Sequence, residues 1–294
     1  MAMDAELRAH LATGCTTLAR CWALVRADGA VMGFTDHDRP LAFEGIEFRP
    51  ETGLSAFALE QTTGLAVDNT EALGALSDAA ISEADIAAGR YDGAEIRAWV
   101  VNWADPAQRH LQFRGMIGAL TRVEGAFRAE IRGLAEALNR PGGRVFQRGC
   151  AAVLGDAQCR FDLSTPGYVH EGPVTAVEDA RVFRLPELPG FEPGWFARGR
   201  LIVQDGAAAG LSGHIKRDLA EPGARVIELW QPLGAEVAPG SALRLEAGCD
   251  KRLETCRLKF ANILNFRGFP DLPEEDWITV QPGQSAELGG GSRR

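Results

Sequence analysis

No run in this 294-residue sequence approaches the roughly 18 consecutive apolar residues of a membrane-spanning helix. The opening MAMDAELRAHLATG has neither the basic start nor the continuous apolar core of a signal peptide, so synthesis in the cytoplasm without export or membrane insertion is expected. Lysine is scarce, confined to Lys216, Lys251 and Lys259, and no basic stripe runs along the chain. Together with a formal net charge of -9, this disfavours a non-specific nucleic-acid binder, which needs cations to neutralise phosphates. Catalytic signatures are missing as well. There is no P-loop, G-x-G-x-x-G or H-E-x-x-H, the GLSG around Ser212 is not a G-x-S-x-G elbow, and His214 stands alone in GLSGHIKRD. No repeat of solenoid period occurs. The sequence offers no active site.

What is present is 46% apolar content, enough to bury the core of one large domain or two ordinary ones. Most of the chain reads as short strands joined by tight turns. CWALVRADGAVMGFTDHD sets Asp28-Gly29 between two apolar runs, and LAFEGIEFRP repeats the pattern with Glu44-Gly45, which predicts two successive hairpins. SEADIAAGRYDGA predicts a helix capped by Ser82, with Asp85 at the third position and Gly89 as its stop. Strands follow in AEIRAWVVNW and in HLQFRGMIGALTRVEGAFRAEIRGL, with a turn at Glu124-Gly125. NRPGG at 139 to 143 is the predicted domain break. Beyond it lie strands in GPVTAV, RVFRLPEL, WFARGRLIVQDG, ARVIELWQPL and ALRLEAG, then a helix from Arg252 to about Leu264. The expected class is mainly β (α+β), with two β-rich domains, a few short helices and a flexible tail. The boundaries are 1–138, 139–279 and 280–294.

His37 sits between Asp36 and Asp38 in FTDHDRP, but strand alternation would point it away from both carboxylates, so a polar turn is the expected role. Trp99, Trp103, Trp195 and Trp230 lie in or beside predicted strands, where core or subunit packing is the default.

The six cysteines are the chemical feature that stands out. A reducing compartment and a chain of this length argue against a disulfide framework. Cys150 and Cys159 enclose eight residues, Cys249 and Cys256 enclose six, and neither spacing is the C-x₂₋₄-C of a zinc finger. Iron-sulfur ligands bind different iron atoms and stand further apart, so wide loops suit a cluster. Arg148 and Arg160 flank the first pair, and Lys251, Arg252, Arg257 and Lys259 surround the second, an arrangement expected to lower thiol pKa values. Leu253, Cys256, Phe260 and Ile263 or Leu264 share one helical face, so Cys256 should point inward. Cys15 and Cys21 are assigned to ordinary packing. Two alternatives stay open for the four-cysteine set: a redox protein or electron carrier using the same cluster, and a zinc-stapled binding module.

Four blocks carry a family resemblance: TTLARCWALVRADGAVMGFTDHDRPLAFEG, ISEADIAAGRYDGAEIRAWVVNW, QRGCAAVLGDAQC and AGCDKRLETCRLKFANILNFRGFPDLP. They resemble the tail hub (baseplate, tail-tip) proteins of Rhodobacter-type gene transfer agents and related prophages of alphaproteobacteria, over most of the chain from about Thr16 to Pro273. The resemblance implies a non-enzymatic virion protein at the tail tip, assembled in the bacterial cytoplasm. It implies tube-like β domains in a homotrimeric ring that joins the hexameric distal tail protein ring to a central tail fibre protein. A tail-associated peptidase is a further implied neighbour, and DNA would pass through the lumen without specific binding. It also implies a cysteine-bound iron-sulfur cluster like that of the phage lambda tail-tip protein L, expected as [4Fe-4S] and held by Cys150, Cys159, Cys249 and Cys256, with zinc as the alternative metal.

Overall fold

The computed structural model describes residues 3–50, 69–74, 82–123, 126–133, 143 and 145–272. The turn expected at Glu124-Gly125, most of the 139 to 143 break and the tail beyond 280 lie outside them. β1 (Leu18–Val25) and β2 (Val31–Thr35) pair antiparallel across the Asp28-Gly29 turn, in register from Cys21 with Thr35 to Val25 with Val31. Gly29 makes this possible by taking φ 87°, a left-handed conformation that a side chain would resist. β3 (Leu41–Phe43) and β4 (Ile46–Pro50) form the second hairpin, whose two turn residues, Glu44 at φ 52° and Gly45 at φ 74°, are both left-handed. That is the two-residue turn whose twist matches the strands it joins.

Two short helices punctuate this unit. α1 (Ala5–Ala12) starts at Asp4, whose side chain accepts the Glu6 N–H. α2 (Glu83–Ala87) starts at Ser82, whose hydroxyl accepts the Asp85 N–H at 3.1 Å, and it gives way at Gly89, φ 69°. The remaining strands are β5 (Asn69–Gly74), β6 (Glu95–Asn102), β7 (Arg109–Val123) and β8 (Ala126–Gly133). The sheet runs β3-β4-β2-β1-β6-β7-β8-β5, antiparallel throughout except where β2 meets β4.

Strand alternation loads both faces of this sheet. Ala19, Cys21 and Ala23 of β1 project to one face, where Phe43 and Phe48 stack at 4.1 Å and Trp99 meets both edge-on. Leu24, Phe34, Ile96, Phe113 and Ile117 bury the other face with Tyr91. The chain divides by packing into two units, Met1–Pro141 and Gly142–Arg294.

The second unit is a seven-stranded antiparallel sheet built from β9 (Val169–Pro173), β10 (Ala176–Glu178), β11 (Val182–Leu185), β12 (Arg200–Val203), β13 (Ser212–Glu221), β14 (Ala224–Leu229) and β15 (Ala242–Glu246). Its order is β10-β11-β14-β13-β12-β15-β9. Phe183, Leu185, Phe196, Leu201, Ile215, Ile227, Leu229, Leu243 and Leu245 form its core. β13 was not foreseen. It is polar along much of its length, and its ladder with β14 shifts register between Ile215 and Arg217, so no period-two pattern marks it. The fold is mainly β, with α3 (Leu253–Leu258) the remaining α-helix among the described residues. Among the described residues no helix is long and apolar enough to cross a membrane.

Candidate functional site

Four of the six cysteines gather in the second unit, three on loops and Cys256 on a short helix, none on the sheet. The first segment is stitched to the last by backbone bonds: Cys150 N–H to Lys251 O (2.8 Å), Ala151 N–H to Arg267 O (3.3 Å) and Phe269 N–H to Gln147 O (2.9 Å). Gly268 permits this approach, since a Cβ there would stand 2.6 Å from the Arg148 carbonyl oxygen. Asp156 shapes the loop between the first two cysteines. Its carboxylate accepts the N–H groups of Val153, Gln158 and Cys159, at 2.8, 2.9 and 2.6 Å, and these bonds hold it below the usual carboxylate range.

Cys256 lies on α3 and is buried, pointing inward as the helical phase predicts. The helix itself is shorter than expected. It ends at Leu258 because Ala261 turns left-handed at φ 47°, and a 3₁₀ turn over Ile263–Asn265 follows. Ile263 and Leu264 therefore do not extend the buried face; Leu264 is 93% exposed. The break delivers Asn262 to the thiols. Its N–H bonds Cys256 O at 2.9 Å, its carbonyl accepts the Cys256 thiol at 3.3 Å, and its Nδ2 donates to Cys159 O (2.7 Å) and Cys159 Sγ (3.5 Å). Asn265 in turn donates to Asn262 Oδ1 at 2.7 Å, fixing that side chain. Sequence reasoning missed both asparagines, and no spacing could have marked them.

The thiols share one neighbourhood. Burial first, then the negative charges of Cys150, Cys249 and Cys159, push the Cys256 thiol up to about 11. Burial also raises Cys249, outweighing the opposing Lys251 amide and ammonium. The expectation that flanking cations lower these pKa values is therefore corrected for Cys249 and Cys256: desolvation of a thiolate costs more than the nearby charges return. The cations do other work. Lys251 Nζ donates to Ala152 O at 2.5 Å, Arg148 to Pro270 O at 3.3 Å and Arg160 to Ala157 O at 3.3 Å. Lys259 donates to Trp195 O (2.6 Å) and Gly248 O (2.9 Å), and burial lowers it to about 8. They tie loop carbonyls together.

Chemically, the arrangement offers four sulfur donors backed by N–H groups aimed at sulfur. Arg267 N–H reaches Cys150 Sγ at 3.3 Å and Asn262 Nδ2 reaches Cys159 Sγ at 3.5 Å. Hydrogen bonds to ligand sulfurs are the protein's means of stabilising and tuning an iron-sulfur cluster, so the donor set fits that group. Among the described residues no group of three His, Cys, Asp or Glu side chains is placed to hold a metal ion.

The other two cysteines are separate. Cys21 is fully buried and donates to Thr35 Oγ1 at 3.5 Å, in the core of the first sheet. Cys15, assigned to packing on sequence grounds, is exposed, because the chain leaves α1 through the left-handed Gly14 before β1 begins. His37 lies tilted against Trp103 with ring centroids 5.0 Å apart, and its Nε2 is 3.3 Å from Asp38 rather than pointing away from it, while Asp36 accepts the Arg20 N–H, so the triplet is a turn. Trp99 is core, but Trp230 is 61% exposed.

Comparison with known proteins gives the context of this site. The family described as baseplate hub protein, N-terminal attachment domain, matches residues 4–162, and a second, described as phage conserved hypothetical protein BR0599, matches residues 194–276. No curated protein matches. Among solved structures, the chain is similar to one in "Virion of native gene transfer agent (GTA) particle", at 57% identity and a TM-score of 0.91, covering 98% of this chain and 99% of that one. With more than half of its residues matched by the first of these families, the chain belongs to the baseplate hub proteins.

Proposed function

We propose that this protein is the hub at the tail tip of a gene-transfer-agent particle, a structural component without catalytic turnover. The observation that carries the reading is the 57% identity over 98% of the chain to a component of such a virion. Three copies form a ring between the hexameric distal tail protein ring above and the central tail fibre protein below, with a tail-associated peptidase as a further neighbour. Cryo-electron microscopy of particles assembled with this chain tests the reading. A threefold ring at the tail tip is expected; density for the chain in the capsid or along the shaft contradicts it.

In this reading Cys150, Cys159, Cys249 and Cys256 hold an iron-sulfur cluster of the [4Fe-4S] type. Bound there, the group supplies iron-thiolate bonds that cross-link the 147–160 loop to α3, so its binding free energy is also folding free energy. The protein's own part is to bring the loops together through the Cys150, Ala151 and Phe269 backbone bonds and to aim N–H donors at the sulfurs. The role is that of a brace, in a domain that must keep its shape where threefold and sixfold rings meet.

DNA leaving the particle would pass the ring without adhering, because a net charge of -9 repels phosphate. The isolated protein is accordingly expected not to retain duplex DNA at physiological salt in a mobility-shift assay. Retention that weakens steeply as salt rises would show that a local cationic patch binds phosphates after all.

A further inference from the structure

The second unit carries a cleft remote in role from the cysteines, and three local irregularities meet there. Arg198 takes φ 65°, a left-handed conformation that costs a non-glycine residue free energy and is held here by its N–H bond to Ile215 O at 2.9 Å. The register shift between Ile215 and Arg217 puts Lys216 out of the ladder, and its ammonium lies 5.7 Å over the Trp230 ring. Gly213 forms the floor, where a Cβ would sit 2.6 Å from Leu229 Cδ1. Strain and bulges gather where a fold re-aims side chains for binding.

We propose that this cleft, between Arg198, Ser212–His214 and Trp230–Leu233, is a carbohydrate-binding site that seats one sugar ring against Trp230. Its volume of about 490 Å³ lies within the range of small-molecule sites. The indole is 61% exposed although the Trp230 N–H bonds His214 O at 3.0 Å, so the backbone fixes an aromatic plane that the core does not use. Around it, the Ser212 hydroxyl, the His214 imidazole, the Gln231 amide and the indole N–H make no hydrogen bond to another described residue. Each of the first three can both donate and accept. A sugar presents the complement: an apolar C–H face for the ring, and edge hydroxyls that both donate and accept.

A polyanion matches less well. Phosphate only accepts, leaving the Gln231 carbonyl without use, and the Lys216 charge is already engaged by Glu228 at 2.8 Å. The chain's net charge of -9 adds repulsion.

The test uses the full-length protein on a printed glycan array, followed by calorimetric titration with the saccharide that binds most strongly. Binding of a neutral saccharide is expected, with Trp230→Ala weakening it at least about tenfold, Trp230→Phe weakening it less, and His214→Ala, exposed and off the core, also reducing it. Circular dichroism of each variant separates loss of binding from loss of fold. An array signal no higher than that of Trp230→Ala overturns the proposal, as does saccharide affinity unchanged in that variant. Displacement of the saccharide by single-stranded DNA would reassign the cleft to nucleic acid and equally overturn it.

Discussion

Cys256→Ser protein, purified anaerobically, is expected to carry no stoichiometric iron and to lose the joint between α3 and the 147–160 loop. Cys256 is buried on α3 and lies in electrostatic reach of the other three sulfurs. A serine hydroxyl there is a poor ligand, and with one of four ligands gone the remaining three have no closed site to hold. Because binding and folding are coupled, the two segments should loosen together: hydrogen exchange at Cys150, Ala151 and Phe269 N–H, which bond across the joint, should speed up by orders of magnitude. Cys21→Ser is the control. That thiol lies in the first sheet with Thr35, so iron content should stay unchanged and stability fall by about 1 kcal/mol. Iron retained by Cys256→Ser, with unchanged exchange at those amides, would remove this residue from the ligand set.

A second large effect is expected at the buried pair of Asp218 and Arg225. Both side chains are almost wholly removed from water. Arg225 gives two bonds to Asp218 and two more to the carbonyls of Phe191 and Glu192, while Asp218 also accepts the buried Phe196 N–H at 2.8 Å. Asp218→Ala would strand a guanidinium charge and an amide in the core of the second unit. The expected cost is about 3–5 kcal/mol, read as a lowered urea midpoint for that unit. Replacing both partners together by apolar residues should recover most of the loss, because the penalty comes from the orphaned charge and not from the missing attraction. A single-variant loss below about 1 kcal/mol would mean that water reaches the pair.

The same pair explains where the sequence was opaque. Strands with alternating apolar positions, such as β1 and β6, and turns with Asp-Gly or Glu-Gly were legible, because those signals are local. β13 was not: its inward positions include Asp218, which is acceptable in a core only because Arg225 arrives from β14. The inward direction of Cys256 could be read from helical phase. The end of α3 could not, since nothing in an alanine announces a left-handed Ala261, and the bonds that hold it there run through Asn262 to Cys159, about 100 residues away in sequence. Neighbouring lysines and arginines were misread for a related reason. Adjacency in sequence says that a long side chain can reach a thiol, not that a loop carbonyl will take it first, as Ala152 takes Lys251. The cleft at Trp230 was invisible for the plainest reason: three separate segments build it.

Iron and acid-labile sulfide, measured with the absorption spectrum on anaerobically purified full-length protein, test the proposed brace most directly. The account predicts about four iron and about four sulfide per chain, with broad visible absorption that bleaches on reduction. Stoichiometric zinc without sulfide would keep the four ligands but contradict the cluster, and metal-free protein whose 147–160 loop and α3 remain folded together would contradict the brace altogether.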